Sequence, residues 1–85
     1  MEKSKEVKYC TELLQNIGNS ERMKLLKRSN LTIRERSYIS ARYVVGLSVK
    51  ECAEKFYIEP YSFLHIQKRI CEKLYRWLEK EKMNN

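Results

Sequence analysis

Eighty-five residues hold a single domain with one modest core. One Pro and two Gly set against many Glu, Lys, Leu and Arg point to an all-α fold, and no apolar run approaches the roughly 18–20 residues of a membrane span. The formal charge of +7 suits a polyanionic partner, nucleic acid first among them, although a solvated lysine-rich surface would give the same number.

Val7, Cys10, Leu13, Leu14 and Ile17 recur at steps of three and four, so the spacing predicts an amphipathic helix from about Ser4 to Ile17. Gly18-Asn19 ends it. Ser20 is placed to cap a second, short helix that carries Met23, Leu25 and Leu26 to about Arg28, and Ser29-Asn30 is the next break. Neither helix carries a chemical motif, and their expected role is to cover the core or to offer a partner surface. Thr32-Ile33-Arg34-Glu35 is a capping-box pattern, with Leu31 before it placed for a hydrophobic staple. The helix that follows turns Ile39, Tyr43 and Val44 inward, and Gly46 stands where a left-handed residue would stop it.

Ser48-Val49-Lys50-Glu51 is a second capping box. It opens a helix whose inner face is Cys52, Ala53 and Phe56, where Ala53 lets two helices cross closely and Ile58 forms an apolar peg in the turn. Glu59-Pro60 opens the last helix, because a missing N–H costs nothing in a first turn and a negative charge suits that end. From Phe63 the stripe Phe63, Ile66, Ile70, Leu74, Trp77 and Leu78 runs to about Lys82. The opposite face carries Tyr61, Leu64, His65, Lys68, Glu72 and Arg76, with Arg69 and Lys73 on its flank.

These residues form a pattern. Leu31-Thr32-x-Arg34-Glu35-Arg36, then Arg42-Tyr43-Val44-x-Gly46-Leu47-Ser48-x-x-Glu51-x-Ala53, then Ile58 and a long basic helix, resembles the region-four helix-turn-helix of bacterial sigma factors. LuxR-type response regulators share a related pattern. The resemblance covers over half of the chain and divides it into an N-terminal helical extension, residues 1–30, and a helix-turn-helix domain, residues 31–85. It implies a small all-α helical bundle with a C-terminal helix-turn-helix and a long recognition helix. It also implies a function: a sequence-specific regulator or sigma-like factor that binds double-stranded DNA.

Carried over by position, the helix from Ser48 to about Tyr57 would brace the reader and cross the DNA backbone, and the helix from Pro60 or Tyr61 would enter the major groove. Pro60, Tyr61, Leu64, His65 and Lys68 would then face base edges, with Leu64 suited to a thymine methyl. Ser62, Arg69 and Lys73 would sit nearer phosphates, and Arg34, Arg36, Arg42 and Lys50 would hold flanking phosphates. Region four also docks on RNA polymerase and on other transcription factors. The resemblance therefore implies, as an alternative, a protein-docking module using Leu74, Tyr75, Trp77, Leu78 and the N-terminal helices. Residues 1–30 are too few for the domain with which sigma factors melt promoters, so a complete sigma factor is not expected. Tyr61, Leu64 and Ile66 stand where that family often has polar or basic residues, and Glu54, Glu59 and Glu72 add negative charge nearby.

Tyr43, Phe56, Phe63 and Trp77 lie on inner stripes and read as core, whereas Tyr38 and Tyr61 are candidates for exposed contacts. His65 is the only histidine; DNA contact and an idle surface role are both open for it, and with no carboxylate or nucleophile placed beside it, it makes no active site. Lys68, Arg69, Lys73 and Arg76 read either as a DNA face or as a solvated face laced by the pairs Lys68–Glu72 and Glu72–Arg76. No nucleophile–base pair, metal cluster or phosphate loop is legible, so no enzyme, cofactor or metal is expected.

Cys10, Cys52 and Cys71 are widely spaced among apolar neighbours and predict buried free thiols, which suits a reducing cytosol. The charged N-terminal run has no apolar segment of the kind a signal peptide carries, so the expected location is cytoplasmic, with no membrane association. Leu74, Trp77, Leu78 and Met83 offer more apolar surface than so small a core needs, which predicts a homodimer reading two half-sites.

Overall fold

The computed structural model describes residues 5–83, the side chain of Met83 excepted. Among them are five helices and no strand: α1 (Lys5–Asn16), α2 (Asn19–Arg28), α3 (Ile33–Tyr43), α4 (Val49–Lys55) and α5 (Pro60–Met83). The small all-α bundle expected from composition and periodicity is what the chain forms. None of these helices is long and apolar enough to cross a membrane. Ser4, the predicted start of the first helix, the charged run before it and the Met83 side chain lie outside the described residues.

Local chemistry accounts for most helix ends. Both capping boxes are closed on both sides. Thr32 Oγ1 accepts from the Glu35 N–H at 3.1 Å while Glu35 Oε1 accepts from the Thr32 N–H at 2.8 Å. Ser48 and Glu51 repeat the exchange at 3.1 and 3.0 Å, and those hydrogen bonds hold the Glu51 carboxyl below its usual value. α3 ends at Tyr43 with Val44 as its cap, and Gly46 follows at φ +88°. That left-handed conformation lets the Leu47 N–H fold back to the Ala41 carbonyl at 3.0 Å.

Two expectations about helix entry change. α2 begins at Asn19 behind Gly18, with no side-chain cap, so Ser20 lies inside the helix rather than before it. The corner is held instead by Arg22. Its guanidinium donates to the Leu14 and Gln15 carbonyls at the end of α1 and to Asn19 Oδ1 at the start of α2. Leu31 makes no staple, because the residue in the fourth position of α3 is Arg36; it is buried in the core instead.

α5 is the spine, and it carries two apolar clusters. Its C-terminal half contributes Ile70, Cys71 and Leu74 to a cluster with Val7, Cys10 and Leu14 of α1, Leu26 of α2, Leu31, and Ile39 and Tyr43 of α3. Its N-terminal half contributes Phe63 to a smaller cluster with Ala41 of α3 and Cys52 and Ala53 of α4. Tyr38 packs against both, its ring centroid 4.5 Å from that of Phe56 and 6.1 Å from that of Phe63. It is therefore a core-packing residue and not the exposed contact its position suggested.

The apolar end of α5 is partly covered. Leu74 is fully buried, and Tyr75, Trp77 and Leu78 pack partly buried against the larger cluster. Tyr75 meets Tyr9 of α1 edge-on at 5.4 Å, and Arg28 of α2 lies 5.9 Å from the Trp77 ring. Leu74, Trp77 and Leu78, expected to supply a homodimer surface, are thus packed in part against α1 and α2, which leaves less apolar surface free than the sequence suggested.

The three thiols are buried and unbridged. Cys10 Sγ donates to the Cys71 carbonyl at 3.2 Å, and burial, reinforced by Cys71, pushes the Cys10 thiol up to about 12. Burial also raises Cys52. Thiols held protonated in this way are packing groups rather than nucleophiles.

One ion pair ties α5 to the start of α3. Lys73 Nζ lies 2.8 Å from Glu35 Oε1, the same oxygen that closes the capping box. Partial burial works to raise the Glu35 pKa, but the hydrogen bonds from Lys73 and Thr32 and the Lys73 charge outweigh it and leave the carboxyl below its ordinary value. A depressed carboxyl contributes stability above its unfolded-state pKa and loses it as the pH falls through its own lower value. Glu35→Gln keeps the capping geometry but removes the charge. It is expected to cost about 0.5–1 kcal/mol near neutral pH, an estimate reduced for the partial exposure of the pair. Thermal unfolding of both proteins should show that difference vanishing in strong acid. A difference that persists there would assign the effect to packing.

Candidate nucleic-acid interface

The α4–turn–α5 unit is built so that the start of α5 packs one face on the core and leaves the other exposed. α4 ends in a left-handed cap: the Ile58 N–H donates to the Ala53 carbonyl at 3.0 Å and the Tyr57 N–H to the Glu54 carbonyl at 3.3 Å. The Phe63 N–H then donates to the Glu59 carbonyl at 3.0 Å, closing the first turn of α5, which begins at Pro60. Phe63, fully buried between Ala41, Cys52 and Ala53, fixes the rotation of α5 about its own axis. With that residue inward, Pro60, Tyr61, Ser62, Leu64, His65 and Arg69 are all exposed and Lys68 is half-buried.

On this helix Tyr61, Leu64, His65 and Lys68 follow one another at three- and four-residue steps and share a face. The Tyr61 and His65 rings meet edge-on at 4.5 Å. Lys68 and Arg69 form no ion pair among the described residues. Further along, Arg76 lies 3.9 Å from Glu72, as the spacing predicted, whereas Lys68 and Glu72 make no such pair. No group of three or more described His, Cys, Asp or Glu residues comes together in a way that would hold a metal ion.

The other nominated residues separate into free and engaged cations. Arg34 on α3 and Lys50 on α4 are exposed. Lys73 is held by Glu35. Arg36 and Arg42 are half-buried, and in each the Nε is shielded without a hydrogen-bond partner. Arg42 donates from Nη1 to the Leu47 carbonyl at 3.2 Å and lies 5.5 Å from the Tyr43 ring, so it braces the loop between α3 and α4. The structure therefore groups Pro60, Tyr61, Ser62, Leu64, His65, Lys68 and Arg69 on one end of α5. It ties Lys73 to Glu35 and Arg42 to the loop after α3, and leaves Arg36 half-buried.

Tyr57 went unnoticed in the sequence. It sits in the turn before α5 at φ +57° and is 95% exposed. The left-handed conformation costs a side-chain-bearing residue about 1–2 kcal/mol, and the position ordinarily goes to Gly or Asn. The signal available was indirect. Phe56 and Ile58 both pack against the smaller cluster, and the residue between two inward ones at a helix end must point out. Lys55, also exposed, lies 6.0 Å from the Phe56 ring and adds a cation beside the turn.

No protein-family model, no curated protein and no solved structure matches this chain. The functional reading therefore rests on the residues and their arrangement.

Proposed function

We propose that the protein is a sequence-specific double-stranded-DNA-binding transcriptional regulator, sigma-like in its helix-turn-helix and without catalytic chemistry of its own. One observation carries the reading. Phe63 locks α5 against α4 so that the outer face of the first turns of a long helix is left exposed, with the unpaired cations Lys68 and Arg69 behind it. A helix presented this way, behind a short bracing helix, has the form that enters a major groove. The positive surplus of the chain supplies the sequence-independent attraction to phosphates. In this reading Pro60, Tyr61, Leu64, His65 and Lys68 face bases. Ser62, Arg69, Arg34 and Lys50 face phosphates, while Arg42 and Lys73 act mainly by holding the scaffold. The three unbridged buried thiols suit work in a reducing cytosol.

The test is an anisotropy titration of the protein with duplex DNA at several salt concentrations. Log affinity is expected to fall steeply and linearly with log salt, as counterions are released from phosphates. Flat, weak binding at low salt would reject the DNA reading. It would favour a docking role on RNA polymerase, for which the exposed Tyr57 and Tyr61 are the available anchors.

A further inference from the structure

We infer that Tyr61 and Leu64 read thymine methyl groups at the positions they face. The inference rests on the duplex-DNA reading above and names what its reading face recognises.

Tyr61 and Leu64 lie three residues apart on one face of α5 and are 62% and 47% exposed. They are large apolar side chains that the core does not use, at the end of the helix where base-reading side chains sit. Carboxamide and guanidinium readers are absent from the first turns of this helix, where the polar groups are Ser62 and His65, followed by Lys68. Carboxamides pair with adenine and guanidinium groups with guanine. The one carboxamide of α5, Gln67, is buried on the inner face. Its two arginines come later: Arg69 lies two turns beyond Tyr61, and Arg76 is near the far end beside Glu72.

The largest apolar surface exposed on the first turns is that of Tyr61 and Leu64, and the apolar feature of a major-groove edge is the C5-methyl of thymine. His65 stands edge-on to the Tyr61 ring, which limits the ring's freedom before anything binds. Charge selects the occupant. Lys68 and Arg69 follow the pair on α5 and stand in no ion pair among the described residues, and with the +7 surplus of the chain they outweigh the exposed Glu59 before it, as suits a polyanion carrying methyl groups.

Burying one methyl group is worth about a fourfold change in affinity. The full chain is used to enrich duplexes from a random pool, and the enriched duplex is remade with deoxyuridine replacing thymine at one position at a time. About a fourfold loss is expected at one or two positions in each bound site. Leu64→Ala should erase the thymine–uracil difference at one position and Tyr61→Ala at a neighbouring one. Both residues are exposed, so the thermal midpoints of the variants should match that of the parent and exclude unfolding as the cause. Equal affinity for thymine and uracil duplexes at every position, with salt-dependent binding intact, overturns the inference alone. A difference that survives both alanine variants overturns the assignment to these residues. Failure to bind any duplex overturns the DNA reading and this inference with it.

Discussion

Replacing Lys68 and Arg69 together with alanine is expected to weaken duplex binding by about tenfold or more at moderate salt. It should also lower the slope of log affinity against log salt by about one, for the phosphate contact of Arg69, while the loss of Lys68 weakens discrimination at the base it faces. The structure separates these two from Lys73 and Arg76 on the same helix. Neither is in an ion pair among the described residues, whereas Lys73 is held by Glu35 at 2.8 Å and Arg76 lies beside Glu72. Lys73→Ala should therefore change stability more than the salt slope, because it releases the tie between α5 and the start of α3. The double variant should do the reverse, since Arg69 is exposed and Lys68 half-buried outside both apolar clusters. An unchanged slope in the double variant, with binding retained, would move the phosphate contacts to another face. The basic α2, with exposed Lys24, Lys27 and Arg28, would be the next place to look.

What the sequence made legible follows from how local each interaction is. Thr32–Glu35 and Ser48–Glu51 are exchanges within four residues, and both form as their spacing requires. The stripe from Phe63 to Leu74 is likewise a property of one helix, and burial follows it. Expectations fail where a distant side chain decides. The start of α2 is governed by Arg22 reaching back to the carbonyls of α1, so a rule about nearby Ser and Asn residues places the cap wrongly. Periodicity likewise shows that Trp77 and Leu78 belong to an apolar face without showing what covers it. Here α1 and α2 do in part, and less of that face stays free than the sequence suggested.

The same distinction runs through the candidate interface. Exposure of Pro60, Tyr61, Ser62, Leu64 and His65 was legible because these residues avoid the inner stripe of their own helix. The engagement of Lys73 depends on a partner in another segment, since Glu35 is 38 residues away from it. Tyr57 was hidden for a different reason: the left-handed slot after α4 holds no glycine to mark it.

Phe63→Ala should be the most damaging single truncation in the helix-turn-helix, at about 3–5 kcal/mol. The residue is fully buried, and its neighbours cannot close the gap easily. Ala41 and Ala53 have no side-chain atoms beyond Cβ to move in, and the Phe56 ring, 6.5 Å away, is already packed against Tyr38. A loss of that size is a large part of the roughly 5–15 kcal/mol that holds a typical domain folded. It falls on one end of the molecule, because the larger cluster around Leu14, Ile39 and Leu74 contains neither Phe63 nor any residue of α4. Hydrogen exchange of the variant should therefore show α4 and the first turns of α5 losing protection while α1 and the C-terminal half of α5 keep theirs. Uniform loss along the chain would mean that the two clusters fold as one unit. The adjacent Leu64→Ala is the control, since it removes a similar kind of side chain from an exposed position and should alter stability by no more than about 0.5 kcal/mol. If DNA affinity falls in both variants but stability falls only in the first, the two faces of α5 have separate roles: the inner one aims the helix and the outer one reads.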